Sequence, residues 1–330
     1  MNLKKYNIGI IGLGVGEQHL IGFLKNKRCN VKTICDFDKK RLKKIKKKYK
    51  NITTTINAEE IINDKNIDCV CVASFDQYHF SHCLNSLKKG KHIFVEKPLS
   101  LKVNDLKKLE NLSVKKKLIV NTNVIMRMFP RINYIKRLCN NKSFGKIYYI
   151  EANYLYGRIK KITHGWRKYE PYYSVILGGG IHLIDMIDYL FGYKVKSIFS
   201  KGNNLISKKN NFKFNDNAVS IIHFSNNVIA KISSNFSCAH PHFHEIKIFG
   251  ENKTLINNIN NITIWDRKNL SKKKIVKIPY PGVKKYGLID DFISNVSNLN
   301  YKNNKSVFKN MYITLIADLS MKQNKEIKLR

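Results

Sequence analysis

The sequence predicts an α/β protein of two domains. Residues 1–123 read as a doubly wound parallel sheet with interleaved helices, and residues 124–330 as a second α/β domain built on a large, mainly antiparallel open sheet. Three observations carry that prediction. Short apolar runs alternate with helix-like segments through roughly the first 120 residues, the mark of βαβ units. Beyond about Asn123 the runs lengthen and alternate with a period of two, the mark of half-buried antiparallel strands. The length of 330 residues exceeds the usual size of one domain and suits two.

In the first domain the apolar runs are Ile8 to Leu13, Val31 to Cys35, Cys69 to Ala73, His92 to Val95 and Leu118 to Val120. Between them helical spacing covers Glu17 to Lys27, Asp38 to Tyr49, Ala58 to Ile62, His79 to Lys89, with Gly90 as its stop, and Val103 to Lys115. A helix from Arg131 to Cys139 opens the second domain. Strands are predicted at Ile147 to Tyr156, Ala218 to Phe224, Val228 to Phe236, His244 to Phe249, Thr254 to Ile259 and Thr263 to Trp265, with hairpin turns at Asn226-Asn227 and Gly250-Glu251-Asn252. Helices are expected from Ile181 to Leu190, stopped by Gly192, and near Leu288 to Asn298 and Val307 to Met321.

With 43% apolar and 11% aromatic residues the chain has enough side-chain volume for a packed core, and it holds no apolar stretch long enough to span a bilayer. The opening segment Met1 to Tyr6 leads straight into the first strand, without an apolar signal region, so a cytoplasmic location is expected. The seven cysteines are odd in number and form no C-x-x-C pair, and Cys35, Cys69 and Cys71 fall in strand-like runs, as reduced core residues do. A formal charge of +38, from 61 Lys+Arg against 23 Asp+Glu, would suit an anionic partner. The excess is lysine spread along the chain with abundant Asn and Ile, however, and no helix-turn-helix, zinc or aromatic-basic pattern accompanies it. No specific nucleic-acid partner is expected; the basic residues cluster only at Lys39 to Lys48 and Lys272-Lys273-Lys274, and the first of these, on a helix, reads as a solvated face.

Gly12-Leu13-Gly14-Val15-Gly16 follows a strand and opens a helix. In that context backbone N–H groups and the helix dipole hold a pyrophosphate. The spacing departs from G-x-G-x-x-G because the third glycine comes one residue early and Glu17 occupies its position. Asp36, about twenty residues on at the end of the second strand, is placed to accept hydrogen bonds from ribose hydroxyls and to repel a 2′-phosphate. This favours NAD, with Lys39, Lys40 and Arg41 close enough to admit NADP; Asp38 is the more natural helix cap. The ends of later strands add Ser74, His79, Glu96, Lys97 and Asn123, and ligands of such sheets bind outside the carboxyl ends of the strands. In Phe94-Val95-Glu96-Lys97-Pro98 the proline biases Lys97 away from helix and allows a cis peptide, which aims the lysine as an acid or base.

In the second domain Gly178-Gly179-Gly180 reads as a flexible turn before His182, which starts an apolar helix where the dipole disfavours the imidazolium form. His182 is thus a candidate base or partner of a substrate hydroxyl, with Asp185 on the same face. His240, His242 and His244 share one face of a possible strand. No acidic or thiol ligand is fixed near them and Pro241 interrupts the strand, so no metal site is expected.

These landmarks are similar to those of the Gfo/Idh/MocA family, the glucose-fructose oxidoreductase and inositol dehydrogenase group. The match runs through Ile11 to Gly16 with His19, then Asp36, His79, Leu87 to Gly90 and Lys91 to Pro98. It continues through Arg127 with Pro130, Gly145 to Ile147, Gly165-Trp166-Arg167 and Gly180 to Asp185. It spans about residues 7 to 192 in consistent order, with Glu-Lys-Pro as its specific part. The resemblance implies an N-terminal Rossmann domain, a C-terminal α/β domain with a large open sheet, a bound nicotinamide cofactor, and a sugar, cyclitol or nucleotide-sugar substrate. It implies that Lys97 is the catalytic lysine, that His182 is the second active-site residue and that Glu96 lies near the nicotinamide ribose. Trp166 and Arg167 stand as candidates for the cofactor's nicotinamide side. One departure is that the family often has Asp four residues before the histidine, where this chain has Gly178; Asp185 or substrate hydroxyls are the candidates to compensate.

The reading that follows is an NAD(P)-dependent oxidoreductase acting on a secondary alcohol of a sugar-like substrate, as a homodimer or homotetramer covering the open sheet face. Two alternatives stand beside it. One is a cofactor-retaining enzyme of the same fold that performs elimination or hydrolysis without net redox; the other is a catalytically silent NAD-binding regulator.

Overall fold

The computed structural model describes residues 4–329. It divides into two compact units, Met1–Ile125 with Lys284–Tyr312, and Met126–Val283 with Ile313–Arg330.

In the first unit the strands are β1 (Tyr6–Ile11), β2 (Cys29–Cys35), β3 (Thr53–Thr55), β4 (Cys69–Val72), β5 (His92–Val95) and β6 (Val120–Thr122). They alternate with α1 (Gly16–Lys25), α2 (Lys39–Lys48), α3 (Ala58–Asn63), α4 (Asp76–Lys88) and α5 (Val103–Lys115). The six strands pair in the order β3-β2-β1-β4-β5-β6, every pair parallel. The doubly wound sheet is therefore present, with one strand more than the apolar runs indicate. β3 is Thr-Thr-Thr, an edge strand with no apolar run to announce it. The central β4, Cys-Val-Cys-Val, is buried at every position, because a parallel strand covered on both faces has no solvent side. Burial pushes the Cys35 thiol up to about 11 and that of Cys71 well above its ordinary value, as expected of inert core thiols.

The second unit holds α6 (Pro130–Asn140), β7 (Ile147–Leu155), the short helix α7 (Lys160–Thr163), α8 (Ile181–Phe191), β8 (Val195–Asn203), β9 (Asn217–Phe224) and β10 (Ile229–Asn235). It continues through β11 (Phe243–Gly250), β12 (Lys253–Asn257), β13 (Ile262–Asp266) and β14 (Asn269–Val276). With a final strand, β15 (Ile327–Lys328), they form a nine-stranded sheet ordered β14-β13-β12-β11-β7-β10-β9-β8-β15. All its pairs are antiparallel except β7 with β10, which makes the sheet mainly antiparallel. Along β7, Ile150, Ala152 and Tyr154 are buried on one face, while Tyr149 and Glu151 alternate with them on the other. Strand β14, Asn-Leu-Ser-Lys-Lys-Lys-Ile-Val, is exposed along nearly its whole length. Its lysines charge the sheet edge, a common way of blunting an edge against further pairing, and they hide the strand from a search for apolar alternation.

Two helices lie between β14 and β15. α9 (Ile289–Ser297) belongs to the first unit, where Phe292 packs on Phe94 and on Phe23, with ring centroids 5.5 and 6.5 Å away. α10 (Lys302–Gln323) lies in the first unit to Tyr312 and in the second from Ile313. Among the described residues, no helix is long and apolar enough to cross a membrane.

Candidate functional site

In the first unit the candidate residues gather at the carboxyl ends of the parallel strands. Leaving β1, Gly12 takes φ +89°, and a Cβ there would overlap the Ala73 carbonyl, so the turn needs glycine. A Cβ at Gly16 would come within 3.2 Å of Ala73 Cβ. The early third glycine therefore lets helix α1 lie close on the sheet. Gly14 differs from both: a side chain there would meet nothing within 4 Å. Val15 precedes the helix without a side-chain cap, so no side chain competes for the backbone donors of its first turn.

Asp36 is buried at the end of β2. Its Oδ2 accepts the Leu13 N–H at 2.7 Å and the Arg41 guanidinium at 3.1 Å, and its Oδ1 accepts the Asp38 N–H at 2.9 Å. Asp38, as expected, caps α2 by accepting from the Arg41 N–H. Beside this carboxylate Phe37 is 71% exposed, with its ring 5.5 Å from Phe75. Phe75 is only half-buried, and this aromatic pair beyond two strand ends has no local signal in the sequence.

Glu96, after β5, is the centre of a buried polar network. Its Oε1 meets His19 Nε2 at 2.8 Å and accepts from Asn123 Nδ2 at 2.8 Å. Burial alone would raise its carboxyl, but the hydrogen bond and charge of His19, the charge of Lys97 and the Asn123 amide outweigh it and bring it to about 2. Lys97 follows, half-buried, and its peptide to Pro98 is cis. His79 is fully buried, with Nδ1 2.7 Å from the Pro98 carbonyl and Nε2 3.0 Å from the Ser74 carbonyl. It ties the Lys97-Pro98 turn to the end of β4. The Ser74 hydroxyl is 3.1 Å from His82 Nδ1. Thus Gly12, Gly14, Val15, Gly16, Asp36, Ser74, Glu96, Lys97 and Asn123 lie at one end of one sheet, with His79 bracing it from behind.

In the second unit the glycines behave differently. Gly178, Gly179 and Gly180 lie in a π-helical turn, Ile176–Gly180, that runs directly into α8. They are buried in helical backbone rather than in a flexible turn, and His182 sits within a continuous helical segment rather than at a helix start. The dipole argument for its neutrality therefore lapses. Cβ atoms at these three positions would overlap the Tyr173 hydroxyl, the Tyr154 ring and the Ser234 hydroxyl in turn. Asp185 does not stand in for a carboxylate at 178: it is buried against Arg127, whose Nε donates to it at 2.8 Å and whose NH2 donates to its other oxygen. The Tyr173 hydroxyl fills that space instead.

His182 stacks on Tyr154, with centroids 5.9 Å apart and rings 13° from parallel, and meets His244 edge-on at 5.8 Å. Tyr154 also lies 5.2 Å from His242 and 5.6 Å from Phe236. Trp166 and Arg167 occupy a short 3-10 turn, Trp166–Tyr169, with the guanidinium 4.5 Å over the indole. Among the described residues, no three His, Cys, Asp or Glu side chains group as ligands for a cation.

A 3-2-1-4-5-6 parallel sheet with a glycine turn, an uncapped helix start and a buried carboxylate after β2 defines a dinucleotide-binding Rossmann unit. The open space at Gly14, next to N–H groups left uncapped, fits a cofactor pyrophosphate. The family model described as "Oxidoreductase family, NAD-binding Rossmann fold" matches residues 6–124, and the "GFO/IDH/MocA C-terminal domain" matches residues 132–256. The chain belongs to the Gfo/Idh/MocA family of NAD-binding oxidoreductases.

It is similar to myo-inositol 2-dehydrogenase of Thermotoga maritima, 25% identical over 266 residues that cover 78% of this chain and 77% of that protein. It is also similar to 2,7-anhydro-N-acetylneuraminate hydratase of Escherichia coli, 24% identical over 199 residues that cover 60% of this chain and 53% of that protein. The match thus spans about half the length of that relative. The fold is that of levoglucosan dehydrogenase solved in complex with NADH, with a TM-score of 0.86 at 16% identity, covering 99% of this chain and all of that one.

Proposed function

We propose that the protein is an NAD-dependent dehydrogenase that transfers a hydride between the cofactor and a secondary alcohol carbon of a sugar or cyclitol. The ring cluster of the second unit carries the substrate class. The ring centroids of His182, His242 and His244 all lie within 6 Å of that of Tyr154, and His244 is within 6 Å of both other imidazoles. A polyol ring has the complementary chemistry, with apolar C–H faces for the rings and O–H edges for the nitrogens. The relatedness to myo-inositol 2-dehydrogenase supports the same class.

Bound NAD would supply the hydride acceptor. In the first unit the backbone of Gly12 to Gly16 holds its pyrophosphate and Asp36 its ribose. Lys97, as the neutral amine, takes the proton from the reacting hydroxyl, so that alcohol becomes carbonyl as C–H and O–H bonds break. Glu96, kept anionic by His19, the charge of Lys97 and Asn123, favours the ammonium form of that lysine, which the positive nicotinamide ring of bound NAD would offset in the oxidative direction. In the second unit His182, stacked on Tyr154, is placed to hydrogen-bond a hydroxyl of a bound ligand. The bare face of the nine-stranded sheet, with Phe199 and Ile229 exposed and Glu151 bound to Lys231 at 2.9 Å, is the proposed homodimer or homotetramer contact.

The test is NADH formation across a panel of inositols, hexoses and hexose phosphates. Turnover of at least one is expected, and none would refute the reading. Asp36→Ala should lower the preference for NAD over NADP by roughly tenfold, since hydrogen bonds to a charged group are lost; unchanged selectivity would remove Asp36 from the ribose. A second reading, a cofactor-retaining lyase or hydratase, is favoured by the tyrosine hydroxyl standing where Gly178 lacks a carboxylate, and by the similarity to the hydratase. Product formation at substoichiometric NAD, with no NADH accumulating, would select it.

A further inference from the structure

In the second unit His244 of the ring cluster is paired with Tyr280, a residue given no role above. The Tyr280 hydroxyl lies 3.1 Å from the His244 backbone nitrogen and within hydrogen-bond distance of His244 Nδ1. A backbone N–H only donates, so the phenol oxygen accepts it; the contact with Nδ1 is a second hydrogen bond in which either the phenol O–H or an Nδ1–H is the donor, and the arrangement proposed below has the phenol as donor. Burial raises the Tyr280 hydroxyl further above its ordinary value, so the phenol keeps that proton. Burial first, and His242 second, push His244 well below its ordinary value, so the imidazole is neutral. A neutral imidazole that accepts at Nδ1 carries its own proton at Nε2.

The pair is rigidly mounted. Buried Arg131 donates to the Ile278 carbonyl at 2.6 Å and to the Asn258 carbonyl at 2.7 Å, and its guanidinium lies 5.6 Å from the Tyr280 ring centre. Asn257 Nδ2 donates to the His244 carbonyl at 3.2 Å. Around the His244 ring stand Phe129, Tyr154, His182 and His242, with centroids 4.9 to 6.0 Å away.

We propose that His244 is a specificity-determining hydrogen-bond donor, locked by Tyr280 as the Nε2–H tautomer, that recognises a ligand oxygen in the ring cluster containing His182. The ligand oxygen is a hydroxyl, carbonyl or carboxylate acceptor. Tyr280 is the positioning residue, and the choice of a polyol as ligand rests on the function proposed above.

The experiment is nitrogen-resolved NMR of the full-length protein labelled in histidine, with His244 assigned from the signal missing in His244→Phe. The wild type should show His244 protonated at Nε2 and bare at Nδ1 between pH 8 and pH 6, and Tyr280→Phe should lose that fixed pattern. An Nδ1–H tautomer, or an imidazolium over that range, overturns the proposal, and this readout stands whether or not any polyol is oxidised. With whichever inositol or hexose the wild type turns over, His244→Phe and Tyr280→Phe should raise KM roughly tenfold with a smaller change in kcat. His244→Gln, which restores an N–H donor, should recover part of the loss. An unchanged KM in His244→Phe, for a substrate the wild type oxidises, overturns the donor role while leaving the dehydrogenase reading intact.

Discussion

Two glycine-rich segments of this chain look alike on paper and do opposite things in the fold. At Gly12 to Gly16 a side chain on Gly14 would point into open space, beside helix donors that no side chain caps. At Gly178 to Gly180 every missing Cβ is replaced by one of the protein's own groups, the Tyr173 hydroxyl, the Tyr154 ring and the Ser234 hydroxyl. The first segment keeps room for a ligand. The second uses the room to bring rings and hydroxyls close to the helix that carries His182. Glycine spacing reports only that space is wanted; what fills it is decided by residues far away in sequence.

The largest effect that separates the two is expected at residue 178. Gly178→Asp drives a carboxylate into the Tyr173 hydroxyl within a packed core and should destabilise the protein by about 3 kcal/mol or more in chemical denaturation. Adding Tyr173→Ala should recover part of that loss, because the two changes share one space. Strict additivity would mean that Tyr173 is not the group filling it. Gly14→Val should instead weaken NAD by roughly tenfold or more in calorimetry, since it fills the space read as the phosphate seat, and move the melting temperature by less than about 2 °C. A large melting shift with unchanged NAD affinity would reverse the roles assigned to the two segments.

A smaller effect lies beside the first segment, in the Glu96 network. Its carboxyl is lowered from 4.5 to about 2 in the folded protein, so the stability it contributes is present above pH 4.5 and is lost as pH falls towards about 2. Glu96→Gln should therefore be less stable than the wild type near neutral pH, and the gap should narrow as pH falls through that window in urea titrations. A gap independent of pH would show that the network holds its shape without the charge.

The parallel sheet is legible because most of its strands carry short apolar runs at regular spacing, and because polar residues follow β2, β5 and β6. Asp36, Glu96, Lys97 and Asn123 can be named for that reason alone. Less legible are features set by distant contacts. Strand β3 is three threonines and β14 has three consecutive lysines at its centre, so neither shows an apolar rhythm, and both form because a neighbouring strand offers an edge. The segment 284–312 follows the second sheet in the chain yet packs on the first, through Phe292. His182 looks like a helix start because three glycines precede it, whereas the backbone stays helical through them. His19, Tyr173 and Tyr280 carry no local signal of a role; His19 matters only because Glu96 arrives beside it, 77 residues on.

The central claim is that the first unit binds NAD and that Lys97 handles the substrate proton. It is tested most directly by Lys97→Ala, with NAD affinity by calorimetry and NADH formation measured on the same preparation. The account predicts an affinity within about twofold of wild type and a rate lower by roughly a hundredfold to ten-thousandfold, the range removed with a general base. Full activity in that variant would contradict it.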